Sequence, residues 1–417
     1  MGTSGRPALL FLSPIMPALG GNGLAMRAGA TLEALAADYT VHLLVIDISG
    51  PSEPPGEAVR RWSARILTYP AERHVDPLFQ LIEGVRDPDE QLTALLGYPR
   101  PALCRYATSA AVREAAEVAA GPDYRAVHVL RLYLAPFAEP YLAWPAAGRP
   151  GCALDLDDEE TTTRTRIARL LREDGHERAA RAQESEADRY EALAAAVLPR
   201  FDRVYVASAA DRDRVALRHP GPEVAVLENV VRWPGPVAPP PAGTPFTFVF
   251  VANFGYYPND DAARYFCAEV LPLLRTGARR PFRAHLVGAN PSAIVRRLAD
   301  QPEVTVIGRV ADVTPWYESA HAAVVPLRAG GGTRIKVLEA FAHRRPVVST
   351  SIGAEGLGAT TGCHLLIADS PADFAAACVR LMEEPSAGQA LADRGAAFVR
   401  RRVPTGLRAP LTHRHGP

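Results

Sequence analysis

Apolar residues along the chain gather into short runs, and amphipathic stretches lie between the runs. Ala8–Leu12 (ALLFL), Tyr39–Ile46 (YTVHLLVI), Ala126–Leu132 (AVHVLRL), Cys152–Leu156 (CALDL), Arg203–Ser208 (RVYVAS) and Val224–Leu227 (VAVL) show little polar alternation. Such runs are expected of strands covered on both faces. Helical spacing fills Leu24–Ala37, Asp76–Ala120 with breaks at Pro88, Pro99 and Pro101, one long charged helix from about Thr161 to Ala196, and a short helix from Asp211. Residues 50–70 are Pro-rich and read as irregular.

The pattern restarts after Pro234–Pro245 (PGPVAPPPAGTP), whose prolines deny it helix and sheet alike. Strands are expected at Phe246–Ala252, Arg283–Val287, Val304–Ile307, Ala322–Leu327, Val347–Thr350 and His364–Ala368. Helices are expected from Asn259 or Asp260, as cap, to about Arg275, then over Ser292–Asp300, Asp312–His321 and Pro371–Met382. Strands alternating with helices of this length predict parallel βαβ units and an α/β class. A chain of 417 residues is long for a single core. Two domains are therefore expected: 1–236, a linker over 237–245, and 246–399, with a loose basic tail over 400–417.

The stretch from Pro326 to Leu357 concentrates the candidate chemistry. Gly330, Gly331 and Gly332 remove every side chain where a strand must turn into a helix, and Thr333 stands at the expected N-cap. Bare backbone at a helix start offers free N–H groups and the positive dipole end to an anion. On the helical wheel Ile335, Leu338, Phe341 and Ala342 share the core side. Lys336, Glu339 and His343 share another side, in line with Gly332. Lys336 is the only lysine in the sequence. A cation and a carboxylate beside an anion loop suit a ligand with phosphate at one end and hydroxyls further along, such as a sugar nucleotide. The competing reading is a solvated Lys–Glu pair.

Composition narrows the function classes. Lys plus Arg and Asp plus Glu each number 46, so no global basic field favours nucleic acid. Five scattered cysteines without CxxC spacing predict a reduced, cytoplasmic protein without a zinc site. The N-terminal apolar run is too short for a signal peptide, and no run reaches the roughly 18 residues of a membrane span.

The Pro326–Leu357 segment resembles the donor-site motif of the GT-B glycosyltransferases, of the family 4 type (glycosyl transferases group 1) that includes sucrose and mannosyl transferases. A weaker resemblance covers nearly the whole chain. It implies two Rossmann-like β/α/β domains facing across a cleft, with an acceptor in the N-terminal half and a nucleotide sugar in the C-terminal half. Carried over by position, Glu339 would accept the ribose hydroxyls, and backbone at Arg309 and Val310 would line the base. Gly330 to Thr333 would lie against the diphosphate and sugar, with Lys336 and Arg334 countering charge. Asn253 belongs to the loop after the first strand of the second domain. Gly21 and Asn22, whose Gly20–Gly23 loop lacks the GxGxxG spacing, would reach the donor phosphates through their amides. His128, near a strand end, would sit by the transferred sugar, and Arg131 and Asp157 would face the acceptor. Asp155–Glu160 holds five acidic residues in six, but relatives carry an acidic segment here and this fold usually needs no metal. The implied reaction is glycosyl transfer, with retention, to a glycan or small natural product, and no cofactor beyond the nucleotide sugar. Two departures stand out. The first glutamate of the family's E-x7-E pair is replaced by Gly331, and the Asn253–Asn259 loop has no cation. A nucleotide-sugar epimerase or pseudo-glycosyltransferase of the same fold, and a binding protein that activates another transferase, are the competing readings.

Overall fold

In the computed structural model the described residues are 5–402, apart from 49, 51, 146–147, 236, 238–244 and 333. The chain divides into two compact units, the first taking the residues up to Leu19 and Gly23–Asn229, the second Gly20–Asn22 and the chain from Val230.

The first unit is built on seven parallel strands: β1 (Ala8–Ser13), β2 (Thr40–Asp47), β3 (Arg65–Pro70), β4 (Ala126–Leu130), β5 (Gly151–Asp155), β6 (Arg203–Val206) and β7 (Glu223–Val226). Their order is β3-β2-β1-β4-β5-β6-β7. The unbroken apolar runs follow from a core on each face. Leu10, Leu12, Leu44, Ile46, Val127 and Val129 point to one side. Leu9, Phe11, Leu43 and Val45 point to the other, against Ala28, Leu32 and Leu35 of the helix Gly23–Asp38. Each such leucine contributes roughly 1.5–3 kcal/mol by leaving water.

The second unit repeats the plan with six parallel strands: β8 (Phe246–Val251), β9 (Phe282–Val287), β10 (Val304–Ile307), β11 (Ala322–Val325), β12 (Val347–Ser349) and β13 (Leu366–Ile367), in the order β10-β9-β8-β11-β12-β13. Both sheets therefore reverse direction of winding between the first and fourth strands, at β1/β4 and β8/β11. Ligands of open parallel sheets bind beyond the carboxyl ends of the strands at such a reversal. Two Rossmann-like α/β units are thus established.

Several expectations are corrected. Residues 50–70 contain the helix Glu57–Trp62 and the edge strand β3, paired with β2 from His42–Arg65 to Asp47–Pro70. An edge strand with exposed Arg65 and Thr68 shows no apolar run. The long charged helix is two, Glu160–Glu173 and Glu177–Val197, folded back on each other across Gly175 at φ 79°. The helix after β8 starts at Tyr257 without a side-chain cap, because the Asn259 side-chain amide donates to the Asn253 carbonyl at 2.7 Å instead. Arg400 and Arg401 are not tail but the end of a helix over Pro385–Arg401. Most of the expected linker and tail lies outside the described residues. Among the described residues no helix is long and apolar enough to cross a membrane, and no group of three metal-ligating side chains is placed to hold an ion.

Candidate active site

The reversal point of the second sheet is where the glycine loop emerges. After β11 the chain passes Arg328, turns through Gly330 at φ 120° and Gly332 at φ 67°, and enters the helix Ile335–Ala342. Both angles lie in the left-handed half of backbone space, which glycine enters at no steric cost. A Cβ on Gly330 would also sit 3.1 Å from Arg334 Nη1. Thr333, the expected cap, lies outside the described residues, and Arg334 occupies the cap position without a side-chain cap bond.

The helix buries Val337, Leu338, Ala340, Phe341 and Ala342. Ile335 is only half-buried, so the core stripe is shifted from the expected one toward Val337 and Ala340. Lys336 and Glu339, also half-buried, are one turn apart, and among the described residues neither makes an ion pair or side-chain hydrogen bond. Burial dominates the titration of both. It lowers Lys336 to about 8, aided by the Arg334 guanidinium and opposed by Glu339. It raises Glu339 to about 7, opposed by Lys336. Two ionisable groups pushed toward neutrality beside a glycine turn mark a candidate site for a charged ligand.

The remaining residues of this unit divide by what they touch. His343 is a packing residue: it stacks on Tyr317 with ring centroids 4.5 Å apart and is held by the Glu339 carbonyl at 2.8 Å. Arg334 is buried, and its guanidinium donates to the Gly331 carbonyl at 2.7 Å, the Gly330 carbonyl at 3.0 Å and Glu355 Oε2 at 3.2 Å. Asn253 is exposed after β8, its side-chain oxygen accepting from the Gly255 amide at 3.1 Å and Asn290 Nδ2 at 3.3 Å. Arg309 is exposed and Val310 half-buried after β10. Sequence reasoning missed Arg328, two residues ahead of the glycines, which grips the fully buried Asp261 through Nε at 3.0 Å and Nη2 at 2.5 Å. The only signal was a cation beside a glycine run; its partner, 67 residues away, leaves no trace in local pattern.

In the first unit, Arg131 and Asp157 follow β4 and β5 at the corresponding sheet edge. Both have positive φ, 79° and 56°, and they pair with each other at 3.2 Å. Arg131 also pairs with Glu160, and Asp157 lies 3.5 Å from Arg27. Arg27, unnoticed in the sequence, is almost fully buried and binds both Asp155 oxygens at 2.8 and 2.6 Å, together with Asn229 Oδ1 and the Leu227 carbonyl at 2.9 Å. His128 does not reach the edge. It is fully buried in mid-strand between Phe11 and Tyr205, with no hydrogen-bond partner on either ring nitrogen, and burial drives its titration down to about 3. Gly21 and Asn22, which group with the second unit, form an exposed bend before the helix Gly23–Asp38, with Gly21 at φ 89°. A cavity of about 650 Å³ lies away from these edges, between the helix Ser109–Ala119 and Pro136–Pro140.

Residues 245–384 match the family model of glycosyl transferases group 1. Among solved structures, sucrose-phosphate synthase from Thermosynechococcus elongatus is similar at 14% identity and TM-score 0.63, over 95% of this chain and 94% of that one. Anabaena HepE, solved with UDP and glucose, is similar at 14% identity and TM-score 0.56, over 95% of each chain. S. aureus TarM, in a complex that includes UDP, is similar at 8% identity and TM-score 0.62, over 95% of this chain and 97% of that one. A search of curated proteins finds no match. At these identities the structural likeness is one of fold, and it is the GT-B fold. The family match lies within the second unit, over residues 245–384.

Proposed function

We propose that the protein transfers a hexosyl group from a nucleotide sugar to an acceptor, with retention at the anomeric carbon, and that the second unit holds the donor. The observation that carries this reading is that Lys336 and Glu339, beside the glycine loop at the reversal of the sheet, have no side-chain partner among the described residues. As the bond between sugar and diphosphate breaks, negative charge grows on the leaving oxygen. A partly dehydrated ammonium opposes that charge far better than solvent does. A carboxylate one turn along accepts from the two hydroxyls of a vicinal diol, as a ribose presents them. Retention is supported by the family resemblance. UDP in the HepE and TarM complexes makes uracil the first base to test.

The test is release of nucleoside diphosphate from UDP-, GDP- and dTDP-sugars, with and without candidate acceptors, alongside Lys336→Ala and Glu339→Ala. Acceptor-dependent release by the wild type, lost in both variants, supports the reading. Conversion of the sugar without release marks an epimerase. Binding without turnover of any donor marks an activator of another enzyme.

A further inference from the structure

The glycine loop is bracketed by two arginines, and each is turned onto protein. Arg328 holds Asp261 at the loop's entry. Arg334, at its exit, holds the Gly330 and Gly331 carbonyls and Glu355. A trans peptide is planar, so its carbonyl and its following N–H point to opposite sides. Drawing the Gly330 and Gly331 carbonyls to one guanidinium therefore turns the Gly331 and Gly332 amides the other way. Among the described residues neither amide donates a hydrogen bond. Consecutive N–H groups of this kind form an anion-binding concavity.

We propose that Arg334 is a positioning residue and not a ligand of the donor: it folds the loop so that the Gly331 and Gly332 amides meet the diphosphate, and it leaves Lys336 as the cation that touches it. Glu355 completes the clamp by fixing the guanidinium. This rests on the donor reading above. A guanidinium is required, since the three acceptors are divided between Nη1 and Nη2, a span that a single ammonium does not offer. The glycine at 330 belongs to the same device, because any side chain there meets the guanidinium.

The experiment is calorimetric titration of the full-length protein with UDP and with UMP, at low and high salt, for the wild type, Arg334→Lys, Arg334→Ala and Glu355→Gln. The proposal expects UDP affinity to fall at least tenfold in Arg334→Lys and nearly as far as in Arg334→Ala. UMP binding should change little, and Glu355→Gln should weaken UDP severalfold. The salt dependence of UDP binding should keep its slope in Arg334→Ala, because Lys336 still carries it. Retention of affinity by Arg334→Lys, tighter UDP binding in Glu355→Gln, or a flattened salt slope in Arg334→Ala would show a direct phosphate contact and overturn the proposal. If the wild type binds UDP and the Arg334 variants bind it equally well, the donor reading stands and the positioning role falls. If the wild type binds no UDP, nor GDP nor dTDP in its place, both fall together.

Discussion

The two units share a strand order and use their sheet edges in opposite ways. At the β4 and β5 edge of the first unit, both buried arginines are matched by carboxylates. Arg27 binds both oxygens of Asp155, and Arg131 pairs with Asp157 and Glu160. At the β8/β11 edge of the second unit, Arg328 and Arg334 are matched, but among the described residues Lys336 and Glu339 are not. A matched edge is architecture, since its charges are satisfied by the chain itself. An unmatched pair keeps part of its interaction energy for something else. On the proposed reading, the same fold separates a scaffold from a site by which charges it leaves unanswered.

The largest effect expected from this contrast is structural. Asp155→Ala strands the buried Arg27 guanidinium and should cost about 3–5 kcal/mol of stability in denaturant unfolding. A small loss would mean that the first edge is no scaffold. Next in size, Lys336→Ala and Glu339→Ala should each lower donor turnover by at least ~10²-fold while circular dichroism and melting show an intact fold. Unchanged turnover in both would discard the site.

A smaller effect is the pH profile of kcat/KM, which reports the free enzyme. Glu339 must be ionised to accept hydroxyls, so activity should fall as pH drops through about 7. Lys336 must be protonated to meet phosphate, so activity should fall as pH rises through about 8. Glu339→Gln should remove the acid limb, and Lys336→Arg should move the alkaline limb upward. Limbs left in place by both variants would assign them to other groups.

The smallest effect has the opposite sign to the loss of function. The folded state raises the Glu339 pKa above its ordinary value, so it binds more protons than the unfolded chain between that value and about 7. Stability therefore falls as pH rises across this window, and the ionised carboxylate is a cost above it. Glu339→Gln at pH 8 should raise the melting temperature, on the order of 2 °C, although turnover falls. A lower melting temperature would make Glu339 a structural residue.

Much of this was legible in the sequence. Strands buried on both faces announce themselves as apolar runs, and the glycine-loop unit carried its own punctuation from Ala322 to Pro346. What stayed hidden depends on distant partners. The edge strand β3 has only one neighbour and shows no run. The break at Gly175 lies inside a uniformly charged stretch that reads as helix on either side. His128 looked like a strand-end residue, yet it lies two residues inside β4 with both faces covered. The family resemblance places Arg334 beside Lys336 as a group countering the diphosphate charge, and the direction of its side chain is not visible in the motif. Its long side chain folds back onto the loop, and helical spacing carries no information about that direction.

Lys336 offers the most direct measurement because it is the only lysine in the chain. An amine-acylating reagent can modify that one side chain, and mass spectrometry separates it from the N-terminal amine. The account predicts that its acylation rate rises through a titration near 8 and is suppressed by UDP, GDP or dTDP but not by the parent nucleoside. A rate indifferent to all three diphosphates would contradict it.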